Sequence, residues 1–174
     1  KCFPIKYKMR QLFYTCLYHV LLDPRVSADV DGRFSLNGEI IKDDSYIHRT
    51  VFSGWDVYRS EFPLLTLISP ETINDEVNSL ISIAEARNGS FPRWELLGIN
   101  SDCMVGDPGI IVIADAYIKG IRNFDVQKAY EIAKAGSLGS ETLFGKPFNC
   151  LRKRCDFLNE NGFKPELLSV TLEE

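Results

Sequence analysis

Ile110-Ile111-Val112-Ile113-Ala114-Asp115-Ala116-Tyr117-Ile118-Lys119 is the stretch that decides the fold class of this chain. Wound as a helix, it places apolar side chains on nearly every face, and it lies between two punctuation signals, Asp107-Pro108 before it and Gly120 after it. A helix with so little polar surface is expected to be buried on all sides, so other elements must surround it.

Upstream, Met9, Leu12, Phe13, Cys16, Leu17, Val20 and Leu21 recur at three- and four-residue spacing between Tyr7 and Leu22, which makes one wide apolar stripe on a helix. Asp23-Pro24 ends it. The period then changes. Arg33-Phe34-Ser35-Leu36 and Glu39-Ile40-Ile41 flank Asn37-Gly38, the signature of a hairpin with a type I′ turn. A lone hairpin is marginal in water, so it must pack on the helices. Trp55 to Ile68 is predicted helical, starting near Ser53 or Gly54, with Pro63 a kink or a boundary. Ser69-Pro70-Glu71 opens the next helix, with Ser at the N-cap, Pro at the first position and an acid in the first turn. Its core face is Ile73, Val77, Leu80, Ile81 and Ala84, and Asn88-Gly89 closes it. Residues 88–106 read as a long connection, and long structured loops often carry function.

Downstream, Asn123 precedes an amphipathic helix that uses Phe124, Ala129, Tyr130, Ile132 and Ala133. Gly136, Gly139 and Gly145 mark a loop, and a further helix is predicted from Pro147 to Asn161. Successive helices with one fully buried fit an α-helical bundle or part of an α/α toroid.

Composition narrows the partners. The chain has 174 residues, enough for a sizeable core, and its 45% apolar and 25% charged content is that of a globular protein. A net charge of −4 argues against nucleic acid, which needs clustered Lys and Arg. The basic run Arg152-Lys153-Arg154 reads as a solvated helix face. No stretch approaches the roughly 18–20 apolar residues of a membrane span. The opening Lys1-Cys2-Phe3-Pro4 has neither a Met nor a leader pattern, so the chain is expected to be part of something longer. Cys2, Cys16, Cys103, Cys150 and Cys155 are odd in number and irregular in spacing, which implies no disulfide framework or zinc site. Most are expected to be small core residues. Asn88-Gly89-Ser90 matches a glycosylation sequon, which matters only in a secreted chain.

Two constellations could carry chemistry. Phe52-Ser53-Gly54-Trp55-Asp56-Val57-Tyr58-Arg59 sets an aromatic plate beside a carboxylate, with a guanidinium one turn on. A pyranose suits that combination: an aromatic face stacks on its C–H face, while Asp and Arg hydrogen-bond neighbouring hydroxyls. The plainer reading is an aromatic helix face with a local Asp56–Arg59 or Asp56–Ser60 bond, and on residue chemistry alone it is favoured. The second constellation is Pro92-Arg93-Trp94-Glu95, followed by Asn100, Asp102, Cys103 and Asp107. Glu95 could be an acid, a base or a hydroxyl ligand. Asp107 reads first as a helix cap and Cys103 as a packed residue. Neither His19 nor His48 has an evident catalytic partner. There is no phosphate loop, dinucleotide fingerprint, HExxH or EF-hand spacing.

Six blocks occur in order: Leu12-Phe13-Tyr14-Thr15-Cys16-Leu17-Tyr18-His19, Asp29-Val30-Asp31-Gly32-Arg33-Phe34, Phe52 to Arg59, Pro92-Arg93-Trp94-Glu95, Cys103-Met104-Val105-Gly106-Asp107 and Ala114 to Ile121. Together they resemble glycoside hydrolase family 92, the calcium-dependent exo-acting α-mannosidases, over nearly the whole chain. The resemblance implies a β-sandwich followed by an (α/α)6 catalytic domain. Residues 1–174 would then be mainly α, a partial (α/α)6 toroid with a small β-hairpin. They would form the N-terminal half of the helical domain, without the β-sandwich or the C-terminal half. The stretches Gly136–Gly145 and Cys150–Cys155 match no family pattern.

The chemistry implied by the resemblance is inverting hydrolysis of terminal mannose from N-glycans, with α-1,2 the expected linkage. One carboxylic acid protonates the glycosidic oxygen and a carboxylate activates water on the other face, about 6.5–9.5 Å away. Calcium, the implied cofactor, binds mannose O2 and O3. The family's acid, bases and calcium ligands lie in motifs beyond residue 174, so no catalytic or metal-binding residue is expected here, and the isolated fragment is expected to be inactive. Asp56 matches the family aspartate that holds mannose hydroxyls in the −1 subsite. Trp55, Arg59 and Glu95 fall in matching motifs and complete the expected substrate-binding set. A mannose-containing glycan is the expected partner, and a secreted or periplasmic location is expected for the parent. The rivals are a non-catalytic helical carbohydrate-binding or scaffold module and another (α/α)6 glycosidase.

Overall fold

The computed structural model describes residues 7–101 and 103–151. In chain order the elements are α1 (Tyr7–Val20), β1 (Arg25–Val26), β2 (Arg33–Leu36), β3 (Glu39–Lys42), β4 (Arg49–Thr50), β5 (Phe52–Ser53), α2 (Gly54–Val57), α3 (Glu61–Ile68), α4 (Pro70–Arg87), β6 (Trp94–Leu96), β7 (Ile99–Asn100), α5 (Pro108–Ile118), α6 (Val126–Leu138), β8 (Thr142–Leu143) and β9 (Lys146–Pro147). The strands pair antiparallel in four small sheets, β1–β4, β2–β3, β5–β6–β7 and β8–β9. The described residues are thus mainly helical, as expected, with more strand than the one predicted hairpin.

The centre of the core is α4. Ile73, Val77 and Leu80 are 0% exposed, with Ile81 and Ala84 close behind, so the predicted core face is the observed one. Against it pack Phe62 and Leu65 of α3, Val112 and Ala116 of α5, and Ala129 and Ile132 of α6. The helix starts at Pro70, after Ser69, and ends at Asn88 in the left-handed conformation (φ 44). Ser69 does not cap through its side chain; its Oγ lies 2.9 Å from Thr72 Oγ1 instead.

The hairpin β2–β3 turns at Asn37 (φ 52) and Gly38 (φ 83), both positive as a type I′ turn demands. Its inward residues Phe34 and Leu36 meet Ile83 of α4 in a second small cluster. Phe34 stacks on the fully buried His48, with centroids 3.9 Å apart and planes at 4°. Burial holds the His48 imidazole down at about 4, so this histidine is a neutral packing partner.

Several expectations are corrected. The α5 helix is not buried all round. Val112, Ile113 and Ala116 face the core, while Ile111, Tyr117 and Ile118 are exposed, because α2, α3 and α4 cover one side only. Between α5 and α6 lies an apolar groove that includes Ile110, Tyr117, Phe124 and Tyr130. Most of the stripe on α1 is exposed too: Leu17 and Val20 are half-buried, and Val20 packs on the core.

Trp55–Ile68 is two helices, α2 and α3, parted by a turn at residues 58–60. Pro63 sits in the first turn of α3, where a missing N–H leaves no helical bond unmade, so it is neither kink nor boundary. The connection 88–106 contains β6 and β7, which turn tightly at Leu97 (φ 51) and Gly98 (φ 78).

The helix expected after Asn123 is α6, which begins at Val126 and is capped by Asp125, whose side chain accepts from Lys128 N at 2.9 Å. The same helix runs through Gly136, where a Cβ would stand 3.0 Å from Ser90 Oγ. Gly136 therefore marks close packing, and the loop begins at Gly139. Pro147 lies in the β8–β9 hairpin, not at a helix start. Residues 148–151 are not helical either, and the rest of the helix predicted to Asn161, the basic run, Asp102, Cys2 and Cys155 lie outside the described residues. Cys16 and Cys103 are exposed and Cys150 is half-buried, so none of these three is a core residue.

Candidate functional site

The segment Phe52–Arg59 is built on a strand that turns at once into a helix. Phe52 is fully buried and packs on Phe62 with ring centroids 5.8 Å apart. Ser53 pairs with Trp94 across the β5–β6 ladder, and Gly54 N donates to Arg93 O at 3.1 Å. There α2 begins, a single turn closed by Tyr58 N donating to Gly54 O.

Gly54 is where the sequence had least choice. A Cβ there would lie 2.7 Å from both Arg93 O and Phe52 Cε1, and it would also collide with Pro108 Cγ of α5. A Gly54→Ala variant is therefore expected to lose about 1–3 kcal/mol through overpacking. Thermal unfolding measures that loss, and an unchanged midpoint would show that the strand-to-helix corner can widen.

The turn carries the predicted platform. Trp55 is half-buried, while Asp56 and Arg59 are exposed. Ser53 Oγ donates to Asp56 Oδ2 at 2.5 Å, which steadies the carboxylate and leaves Oδ1 open. Arg59 does not pair with Asp56, nor does Ser60. Its Nη2 donates to Trp55 O at 3.2 Å, and its guanidinium carbon lies 5.0 Å from the ring centroids of both Trp55 and Tyr58. The guanidinium is thus held against two aromatic rings, and the carboxylate stands beside them without an internal ion pair. The expected local Asp56–Arg59 bond is replaced by these two separate arrangements.

Glu95 stands in a different place. It is 1% exposed, and its carboxylate is filled by the protein. Oε1 accepts from Thr50 Oγ1 at 2.8 Å and from Gly98 N at 2.6 Å; Oε2 accepts from Thr50 Oγ1 at 3.0 Å and from Phe52 N at 3.2 Å. Thr50 Oγ1 in turn accepts from Leu97 N at 2.8 Å. One carboxylate therefore ties β4, the start of β5 and the turn of the β6–β7 hairpin together. Burial pushes the Glu95 carboxyl up, against the downward pull of the Gly98, Thr50 and Phe52 donors.

Arg93 is the second internal tie. It is 8% exposed, and its Nε donates to Gly106 O at 2.9 Å, with Nη1 3.5 Å from Met104 O, so it holds the segment before α5 against the β5–β6 ladder. Trp94 N donates to Asn100 Oδ1 at 3.2 Å. Asp107 precedes Pro108 at the start of α5 but makes no side-chain cap bond.

The structure therefore brings Trp55, Asp56 and Arg59 together at the surface and puts Glu95 inside. Sequence reasoning missed Ser53, Thr50 and Gly54. The readable signal for Ser53 was its three-residue spacing from Asp56. Among the described residues, no three His, Cys, Asp or Glu side chains are placed to share a metal ion.

The half-buried Trp55 ring and the exposed Asp56 and Arg59 side chains thus lie along one short surface segment. Residues 5–173 match the glycosyl hydrolase family 92 catalytic domain, and the chain belongs to that family. Solved structures agree. A family 92 α-mannosidase from Bacteroides thetaiotaomicron, in complex with mannoimidazole, is 34% identical over 72% of this chain and 17% of its own, with a TM-score of 0.69. A second structure of that enzyme gives 32% identity, 82% and 19% coverage and a TM-score of 0.70. A family 92 inverting mannosidase from the same organism gives 27% identity, 91% and 21% coverage and a TM-score of 0.74. The chain spans about a fifth of the length of these relatives. A search of curated protein sequences finds no match.

Proposed function

We propose that this chain is part of an inverting α-mannosidase that removes terminal mannose from glycans, and that Trp55, Asp56 and Arg59 form one wall of its −1 sugar subsite. Family membership supports the reaction class, and the exposed Asp56 and Arg59 beside the half-buried Trp55 support the wall. Asp56 Oδ1 accepts from a sugar hydroxyl, Ser53 fixes the carboxylate that does so, and the indole of Trp55 gives the ring an apolar face. Glu95 belongs to the subsite as the buried tie that holds the strand leading into it. In the parent, the helices here are the first half of an (α/α)6 toroid, joined to a β-sandwich.

The general acid, the base that activates water and the calcium ligands come from other parts of the parent. We place the parent outside the cytoplasm and favour α-1,2-linked mannose as substrate.

The test uses the full-length protein on a panel of α-mannosides and α-glucosides, with the product anomer followed by NMR. Release of β-mannose, lost on chelation of calcium, is the expected outcome. A preference for glucosides would move the assignment to another (α/α)6 glycosidase, and sugar binding without hydrolysis would make it a binding module. Residues 1–174 alone are expected to release no mannose.

A further inference from the structure

The buried side of α4 carries a carboxyl that the platform does not use. Glu76 is 1% exposed, and no donor reaches its Oε2. It shares the buried side of the helix with Ile73, Val77 and Leu80. The helix packs against β4, where Arg49 N donates to Ser79 Oγ at 2.9 Å, one turn along from Glu76, and the adjoining Thr50 donates to Glu95. The charged groups that act on Glu76 are Glu95 on β6, then Arg49 on β4, Glu61 on α3 and Asp75 on its own helix. The cation in this set, Arg49, is already engaged: it lies 3.1 Å from Asp75 Oδ2 and donates to Pro24 O.

Glu76 and Glu95 are thus two buried carboxyls with opposite surroundings. Glu95 receives the Thr50 hydroxyl and two backbone N–H groups. Such donors favour an ionised carboxylate, whereas a buried carboxyl without them favours the acid. Two like charges in one buried site cannot both be accommodated cheaply, so the proton settles on the member that lacks donors. We propose that Glu76 is a positioning residue that works as a neutral carboxylic acid, its proton allowing Glu95 to stay ionised and to hold Thr50, Phe52 and Gly98 at the base of the platform. This does not depend on what the platform binds.

Burial, and after it the charge of Glu95, holds Glu76 well above the ordinary value of 4.5. The influence runs from Glu95 to Glu76 because the acid with donors ionises first, so Glu76 must lose its proton beside a charge already present. A folded value above the unfolded one means that the contribution of Glu76 to stability is complete below about 4.5 and is lost as pH rises toward the folded value. Once ionised, Glu76 opposes Glu95, and the ties to Phe52 and Gly98 loosen.

The experiment is amide hydrogen exchange on the full-length protein, read in peptides covering residues 50–58 and 94–101. Wild type is compared with Glu76→Gln at about pH 5 and about pH 8. Equal protection is expected at the lower pH, with several-fold faster exchange in wild type than in Glu76→Gln at the higher. Glu76→Met is also neutral and of similar volume. It should behave in the same way, and it serves if the Gln variant does not fold. A difference from wild type that is the same at both pH values would reduce Glu76 to packing and overturn the proposal, as would no difference at either.

Discussion

Glu95→Ala is expected to destabilise the protein by about 2–5 kcal/mol, the range for stranding two buried backbone donors. The substitution strands two backbone donors, Phe52 N and Gly98 N, in a fully buried site and removes the acceptor of the Thr50 hydroxyl. Each stranded donor costs about 1–3 kcal/mol. Relief from burying a carboxylate offsets part of this, which is why the simple sum is not reached. Glu95→Gln keeps one acceptor oxygen and should lose less. Thermal or denaturant unfolding of both variants checks the order. If Glu95 were instead a direct sugar ligand, Glu95→Ala would cut activity and leave the unfolding midpoint in place.

The same carboxylate shows how far the sequence could be read. Glu95 stands in a motif shared with a glycosidase family, and that context made it a candidate sugar ligand. Its true surroundings depend on Thr50 and Phe52, more than forty positions upstream in the chain, and no local pattern encodes such a pairing. The neighbouring segment is the opposite case. Trp55, Asp56 and Arg59 lie within five residues, so their proximity could be inferred from spacing. Even there, the choice between a sugar platform and an ordinary helix face needed the ordered family blocks.

The fold divides along the same line. The α4 core face and the Asn37-Gly38 turn were legible because each is set by local period and by residues that tolerate positive φ. The β6–β7 hairpin was hidden because Leu97, an unfavoured residue for a positive φ, occupies its turn. Gly136 misled because a glycine that permits close packing against Ser90 looks in sequence like one that ends a helix. The outer side of α5 was expected to be buried because its sequence is apolar on nearly every face, and the apolar stripe of α1 is largely exposed as well. Composition reports what a helix would bury, not which partner covers it.

The central claim is that Asp56 holds hydroxyls of the sugar. It is exposed, its Oδ2 is fixed by Ser53, and its Oδ1 is open to a ligand. Losing charge-assisted hydrogen bonds that strengthen along the reaction costs about 1.5–3 kcal/mol each, so two bonds correspond to a fall of about 100-fold or more in kcat/KM. Asp107 is the comparison, a carboxylate at the start of α5 in a neighbouring family motif. The most direct measurement is kcat/KM on an α-mannoside for Asp56→Ala and Asp107→Ala in the full-length enzyme, at temperatures where both variants are fully folded. The expected result is the much larger loss in Asp56→Ala. A larger loss in Asp107→Ala, with Asp56→Ala near wild type, would contradict the assignment of this platform to the sugar.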